Sequence, residues 1–208
     1  MSLEKKFYNQ YFQEITEKQA SQINDFYIKY LLDGKLKKIE DITSKYFIGT
    51  YYLDDTENLQ SKIQEFCVEA GQRWIFHTKE FSSFGYSLWN WVDIDNTGAI
   101  IFKGKRVLDV KNREIFNCSI DLSSNQMRRA TKRYFKGDDT EPILLFEYNE
   151  QNNLSYILDR KDSWGLGGGW PMDKEELIIV DTNVGLFPWD QHPYFHSALP
   201  FLPTSNSI

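Results

Sequence analysis

The sequence predicts an α+β fold in which a mostly antiparallel sheet of about six to eight strands packs with N-terminal helices and with one later basic helix. Large apolar residues recur at helical spacing near the N-terminus. Alternating apolar and polar runs, joined by short polar turns, fill the middle of the chain. No regular strand–helix–strand alternation is evident, and the 208 residues fit a single domain over 1–208.

The N-terminal part, about residues 1–35, is expected to be helical. Its apolar stripe consists of Leu3, Phe7, Tyr11 and Ile15. Residues four apart lie on one face of a helix, and the Gly34 that follows suits a helix C-terminus. The stripe is expected to face the core, with a peptide-binding groove as the alternative.

The next segments predict a strand, a helix and a block of strands. Residues 46–53 are rich in β-forming residues, and residues 56–70 show helical spacing before Gly71. Residues 73–120 alternate like strands, with a hairpin turn at 95–98, where the sequence reads DNTG. Such short connections favour antiparallel pairing.

A basic helix is expected to begin near Ser123. Ser123 and Gln126 match the S-x-x-Q capping box, and the run RRATKRYFK follows at 128–136. The simplest interpretation of this run is a solvated helix face. As a functional site it could bind an acidic surface, a phosphate or RNA.

The last third of the chain predicts strands and then an irregular tail. A second hairpin is expected over 143–160, and the apolar run at 176–181 predicts a further strand. Residues 182–208 carry four prolines among several aromatic residues, which favours an irregular tail that wraps the domain surface.

Composition narrows the class of partner. The net charge of −6 makes nucleic acid an unlikely partner and suits a basic protein. Cys67 and Cys118 form no C-x-x-C motif, which predicts two reduced thiols. We expect a cytoplasmic protein without membrane attachment, because no apolar run approaches the roughly 20 residues of a membrane span and the N-terminus has no secretory pattern.

The strand at 86–95 offers the first candidate binding surface. Alternation places Trp89, Trp91, Asp93 and Asp95 on one side of it. Two Trp rings beside two carboxylates predict a recognition patch, since Trp is enriched where proteins bind one another. A second aromatic core and a sugar-stacking surface are the alternatives.

The loop DSWGLGGGWPM offers the second candidate. Trp164, Gly167, Gly168 and Trp170 are expected to take part in binding as a mobile loop. The run has neither the dinucleotide-binding pattern nor the P-loop Lys-Ser/Thr. The alternative is a turn that uses glycine only for its backbone freedom.

Two further sets would suit a metal-dependent hydrolase or nuclease, although no metal site is predicted. They are Asp95, Asp109 and Lys111, together with Asp190, His192 and His196. We expect neither a catalytic set nor a cofactor. The sequence therefore favours a non-enzymatic protein-binding protein with a toxin-neutralising or adaptor role; a metal-dependent hydrolase and a carbohydrate or small-molecule binder are the alternatives.

Overall fold

The computed structural model describes residues 2–43, 46–164, 169, 171–182, 184–199 and 201–203. Within them, thirteen strands follow one another in one hydrogen-bonded order, from β13 back to β3 and then β1 and β2. The strands are β1 (Leu3–Asn9), β2 (Glu14–Ile15), β3 (Phe26–Leu32), β4 (Lys35–Ile42), β5 (Phe47–Leu53), β6 (Arg73–Ser83), β7 (Tyr86–Ile94), β8 (Ile100–Leu108), β9 (Glu114–Ile120), β10 (Met127–Tyr134), β11 (Leu144–Tyr148), β12 (Leu154–Asp159) and β13 (Pro171–Met172).

The helices of the described residues are few and short. They are α1 (Glu17–Ala20), α2 (Leu59–Ile63), which continues as a π-helical segment over Gln64–Glu69, α3 (Lys174–Asp181), and two 3-10 turns at Trp189–Gln191 and Pro193–Phe195. The predicted fold class, a sheet of about six to eight strands packed with N-terminal helices and a basic helix, is therefore wrong. The predicted strand at 46–53 and helix at 56–70 are confirmed as β5 and as α2 with its π-helical continuation.

The predicted N-terminal helical part is mostly sheet. Strands β1 and β3 pair antiparallel, and Phe7 lies opposite both Ile15 and Ile28. A spacing of four residues is also two strand periods, so it places side chains on one side of a strand as well as on one face of a helix. The β-forming aromatic residues favour the strand, and within residues 2–35 only α1 is helical.

The predicted basic helix is strand β10. The carboxylate of Asp121 accepts hydrogen bonds from the amides of Ser123 and Ser124 at 2.9 and 2.8 Å, and Asn125 adopts a positive φ of 58°. These residues build the turn from β9 into β10 and do not cap a helix. The basic side chains then alternate across the strand: Lys132 is buried and Arg129 is exposed.

The predicted strand at 176–181 is helix α3. Asp173 accepts a hydrogen bond from the amide of Glu176, and Glu176 accepts one from the amide of Asp173, which completes a capping box. A short apolar run fits a strand and a buried helix equally, so the capping residues, and not the run, indicate a helix here.

The chain divides into two compact units. Unit 1 comprises Met1–Lys79 and Trp91–Lys103, and unit 2 comprises Glu80–Asn90 and Gly104–Ile208. The single domain over 1–208 stays a prediction.

Unit 1 has its core on one side of its sheet. Strand β6 runs parallel to β5, and α2 with the π-helical segment provides the crossover that a parallel pair needs. Trp74 fills the centre of this core and lies directly over Gly49, where a Cβ would come within 2.1 Å of its ring. Any side chain at position 49 would therefore displace Trp74.

Unit 2 is closed by the C-terminal segment. Phe187, Trp189, Tyr194 and Phe195 of that segment are buried in the same core as residues of β9 to β12. The hydroxyl of Tyr148 donates a hydrogen bond to the carbonyl of Phe195 at 2.9 Å. The described part of the tail is thus built into the core.

Four hairpin turns repeat one geometry. They span 9–13, 95–99, 109–113 and 149–153, and each begins with Asp or Asn. In each, the first side chain accepts hydrogen bonds from the amides two and four residues later, and the fourth residue has a positive φ. The predicted hairpins at 95–98 and within 143–160 are confirmed.

Candidate functional site

One side of the unit 1 sheet carries no described helix of that unit, and we call it the open face. Cross-strand register defines its members, because residues directly opposite each other point to the same side. Its central rows are Tyr27, Asp41, Ile48 and Arg73, and next to them Lys29, Ile39, Thr50 and Ile75. Tyr52 and His77 form the next row.

The helices of unit 1 pack against the other side. Ala20 of α1 contacts the cluster around Phe7 and Ile28. Ile63 and Cys67, from α2 and the π-helical segment, lie in the cluster that contains Trp74. The core residues alternate with those of the open face, so the two sides are chemically distinct layers of the same strands.

Aromatic rings dominate the open face. Tyr52 stacks on His77 with ring centroids 4.8 Å apart, and Phe12 stacks on Tyr27 at 4.9 Å. Alternation along β7 adds Trp91, which is half-buried. His77 is itself buried, whereas Tyr27, Tyr52 and Trp91 are partly exposed. Partly exposed rings held by their neighbours in a sheet lose little conformational entropy on binding, which suits a recognition surface.

The open face carries one ion pair and one carboxylate that lies near a second carboxylate. Arg73 donates two hydrogen bonds to the buried carboxylate of Asp93, at 2.9 and 2.5 Å. Asp41, by contrast, has its pKa raised by burial and then by repulsion from Asp25. Burial raises the pKa of the neighbouring Tyr27 as well, with Asp41 the next largest cause. A cation placed near Asp41 would relieve this repulsion.

The structure places the predicted residues of the β7 patch in different settings. Trp91 and Asp93 lie on the open face. Asp95 caps its own hairpin turn, where the Thr97 hydroxyl and then backbone amides lower its pKa. Trp89 belongs to unit 2, where its indole N–H donates a hydrogen bond to Ser87 Oγ at 3.0 Å. Their role in binding stays a prediction.

Of the predicted glycine-loop residues, Trp164 is described, while Gly167, Gly168 and Trp170 lie outside the described residues. Trp164 is half-buried, packs against the core of unit 2 and donates its indole N–H to Asp181 Oδ1 at 3.3 Å. Asp181 also accepts hydrogen bonds from the amides of Leu186 and Phe187. Trp164 is therefore tied to the start of the C-terminal segment.

The two alternative metal sets have local structural partners. Asp109 caps the turn at 109–113 and pairs with Arg113, and Lys111 pairs with Asp138. His192 stacks on Phe187 at 4.2 Å, and His196 stacks on Trp189 at 4.5 Å. Within the described ranges, no three His, Cys, Asp or Glu side chains converge as a metal site would require.

The cysteines are free and buried. Burial raises the pKa of both the Cys67 and the Cys118 thiol to about 11. Both are therefore protonated at neutral pH, whereas a nucleophilic cysteine needs a lowered pKa.

The chain matches no protein-family model, no curated protein and no solved structure. In the described parts of the chain, none of the helices has the length and apolar character needed to traverse a membrane. Function therefore has to be argued from the geometry of the chain's own residues.

Sequence reasoning missed most of the open face because it assigned residues 1–35 to helices. Tyr27 and Lys29 were thereby placed on a helix, apart from Ile39 and Ile48. The face could have been predicted from the alternation of apolar and polar residues in β3, β4 and β5, together with the turn residues Asp33-Gly34 between the first two strands.

Proposed function

We propose that this chain is a non-enzymatic protein-binding protein whose docking surface is the open face of unit 1. The observation that carries the proposal is a sheet side rich in rings, from Tyr27 to Trp91, against which neither described helix of the unit packs. A cytoplasmic location, consistent with two free and buried thiols, belongs to the same proposal.

Charge favours a basic partner. The chain carries a net charge of −6, which steers a cationic protein toward it. On the open face, burial and then repulsion from Asp25 raise the pKa of Asp41, so an incoming Lys or Arg would stabilise the Asp41 carboxylate. A toxin-neutralising or adaptor role fits such a partner.

The test compares three purified variants with the wild type. The chain is expressed with an affinity tag in its native source, the captured protein is identified by mass spectrometry, and its Kd is then measured with both proteins purified. Trp91→Gln removes a central ring and is expected to weaken binding about thirtyfold, as for an interface anchor. Asp41→Lys is expected to weaken it several-fold, more at low salt than at high salt.

Val68→Ser is the matched control. Val68 is an exposed apolar residue of the π-helical segment, which packs on the side of the sheet opposite the open face. It should leave the Kd unchanged, and all three variants should retain wild-type circular dichroism. A captured protein that binds Trp91→Gln and Asp41→Lys as tightly as the wild type would remove the open face as its docking surface.

A further inference from the structure

Unit 2 contains a cavity of about 320 Å³ between strand β12, the first turn of α3 and the C-terminal segment. Its lining includes Ser155, Asp173, Lys174, Glu175, Trp189 and His196. Small ligands bind in cavities of roughly 300–1,000 Å³, so this one suits a compact molecule. It lies within unit 2, and its ligand is independent of the protein partner proposed for unit 1.

A stacked pair of rings forms one wall of the cavity. The His196 imidazole lies on the Trp189 indole with centroids 4.5 Å apart and planes 9° apart. Trp189 is buried, whereas His196 is exposed, so His196 presents its outer face to a ligand. Packing fixes this platform, because Trp189 belongs to the aromatic core of unit 2.

The imidazole of His196 donates a hydrogen bond to a backbone carbonyl. His196 Nε2 lies 2.9 Å from the carbonyl oxygen of Trp189. A carbonyl can only accept, so Nε2 carries the hydrogen, and the neutral ring keeps Nδ1 as an acceptor. Among the described residues, Nδ1 has no hydrogen-bond partner.

Three more polar groups lie around the cavity. The Ser155 hydroxyl and the Glu175 carboxylate have no hydrogen-bond or ion-pair partner in the part of the chain that the structure describes. The Lys174 ammonium has no carboxylate partner there and lies 5.8 Å from the centre of the Trp189 ring. Together with His196 Nδ1 they offer donors and acceptors around one ring platform.

In a second cavity of unit 2, by contrast, the charged side chains are bonded to other groups of the protein. It has a volume of about 350 Å³ and is also lined by charged side chains, including Asp109, Lys111 and Arg113. There Arg113 bonds to Asp109 and to the carbonyls of Gly137 and Asp139, and Lys111 bonds to Asp138. Those polar groups connect loops to one another, whereas in the described residues Ser155 and Glu175 make no such bonds.

We propose that the cavity beside His196 binds a small neutral saccharide. The C–H face of a sugar ring packs on an aromatic ring, and its hydroxyl groups both donate and accept hydrogen bonds. Glu175 and His196 Nδ1 supply acceptors, Lys174 supplies a donor, and Ser155 supplies either. The neighbouring carboxylates of Asp173 and Glu175 disfavour an anionic ligand.

The test is isothermal titration of the full chain with D-glucose, D-galactose, D-mannose and N-acetyl-D-glucosamine, with saturation-transfer NMR as a second measurement. At least one sugar is expected to bind. Ser155→Ala should weaken that sugar about fivefold, the loss expected for one neutral hydrogen bond. Glu175→Gln and His196→Ala should weaken it about tenfold or more, because one removes a charged acceptor and the other the ring platform.

Glu141→Gln is the control, since Glu141 is an exposed carboxylate that does not line this cavity. Its affinity for the sugar should equal that of the wild type. Ser155, Glu175 and Glu141 are exposed, so unchanged thermal unfolding is expected for their variants. His196→Ala also removes the hydrogen bond to the Trp189 carbonyl, so its affinity is compared at a temperature where thermal unfolding shows the variant to be folded. The proposal is overturned if no sugar in the panel binds the folded chain, or if binding is the same in Glu175→Gln and His196→Ala as in the wild type.

Discussion

At the scale of one residue, Lys132 connects strand β10 to the C-terminal segment of unit 2. Its side chain is fully buried, and Nζ donates hydrogen bonds to the carbonyls of Tyr194 at 2.5 Å and Ser197 at 2.9 Å. The same Nζ lies 3.7 Å from the centre of the Tyr194 ring. A strand in the sheet thus holds the C-terminal segment through the Lys132 amino group.

This arrangement predicts a pH-dependent stability. Burial lowers the pKa of Lys132 from 10.5 to about 7. Between these values the unfolded chain keeps a proton that the folded chain has lost, so the free energy of unfolding rises with pH across this window. The slope for one proton is at most about 1.4 kcal/mol per pH unit. Urea unfolding at pH 7, 8 and 9 should show this rise in the wild type.

Lys132→Met is the comparison that isolates the effect. Other titrating groups are common to both proteins, so the difference between their unfolding free energies reports Lys132. Burial raises the pKa of the nearby Tyr148 and Tyr194 phenols, so neither ionises in the folded chain within the window. Parallel pH profiles for wild type and Lys132→Met would show that Lys132 stays protonated in the folded chain.

At the scale of elements, two hairpins use the same tight turn with different residues. Asp33-Gly34 connects β3 to β4 with φ values of 48° and 78°, and Phe84-Gly85 connects β6 to β7 with 51° and 80°. Positive φ at both positions is the type I′ turn, which favours Asn or Asp followed by Gly. Phe84 is 69% exposed, so packing offsets little of its backbone strain.

Phe84→Asn should therefore stabilise the chain. Relief of the left-handed conformation at a bulky residue contributes about 1 kcal/mol, and little buried apolar area is lost. Thermal or urea unfolding would measure the gain. The reverse exchange, Asp33→Phe, should destabilise, since it adds strain and also removes the hydrogen bond from the Ser2 amide to Asp33 Oδ1. A drop in stability for Phe84→Asn would mean that its ring packs in solution.

The turns also explain which elements the sequence could predict. The pattern of Asp or Asn followed three residues later by Gly or Asn marks the turns at 95–99, 109–113 and 149–153. The turn at 9–13 places Phe12 at that position instead, so nothing local interrupts the apparent helix. The basic run at 128–136 misled for a related reason, since Asp121 serves the turn with the serines that resemble a helix cap.

At the scale of the whole molecule, the candidate surfaces could be predicted only in part. Trp91 and Asp93 were assigned to one side of a strand, and they lie on the open face. The rest of that face depends on register between β3, β4, β5 and β6, which no single segment encodes. The cavity beside His196 is lined by residues from 154 to 196. Such long-range convergence is set by packing, so alternation and capping patterns do not reveal it.

The ends of the sheet order predict a monomer. The terminal strands β2 and β13 are two residues long, so each offers little edge for pairing with another chain. In the described ranges, no strand pairs with residues 3–6 of β1 on the side of β2, and there Glu4 and Lys6 form a partly exposed ion pair at 3.4 Å. Charged side chains on an edge oppose strand addition.

Replacing that ion pair should therefore promote association. Sedimentation velocity is expected to show the wild type as a single 24.6 kDa chain over a range of concentrations. The double variant Glu4→Val/Lys6→Val should show concentration-dependent dimers or larger species, because it leaves an apolar β-forming edge. Lys62→Val/Glu65→Val removes an equivalent ion pair from the helical surface and should stay monomeric, since a helix has no unpaired strand edge. A wild-type dimer would contradict the predicted monomer. Equal association by both double variants would show that surface hydrophobicity and not the β1 edge controls self-association.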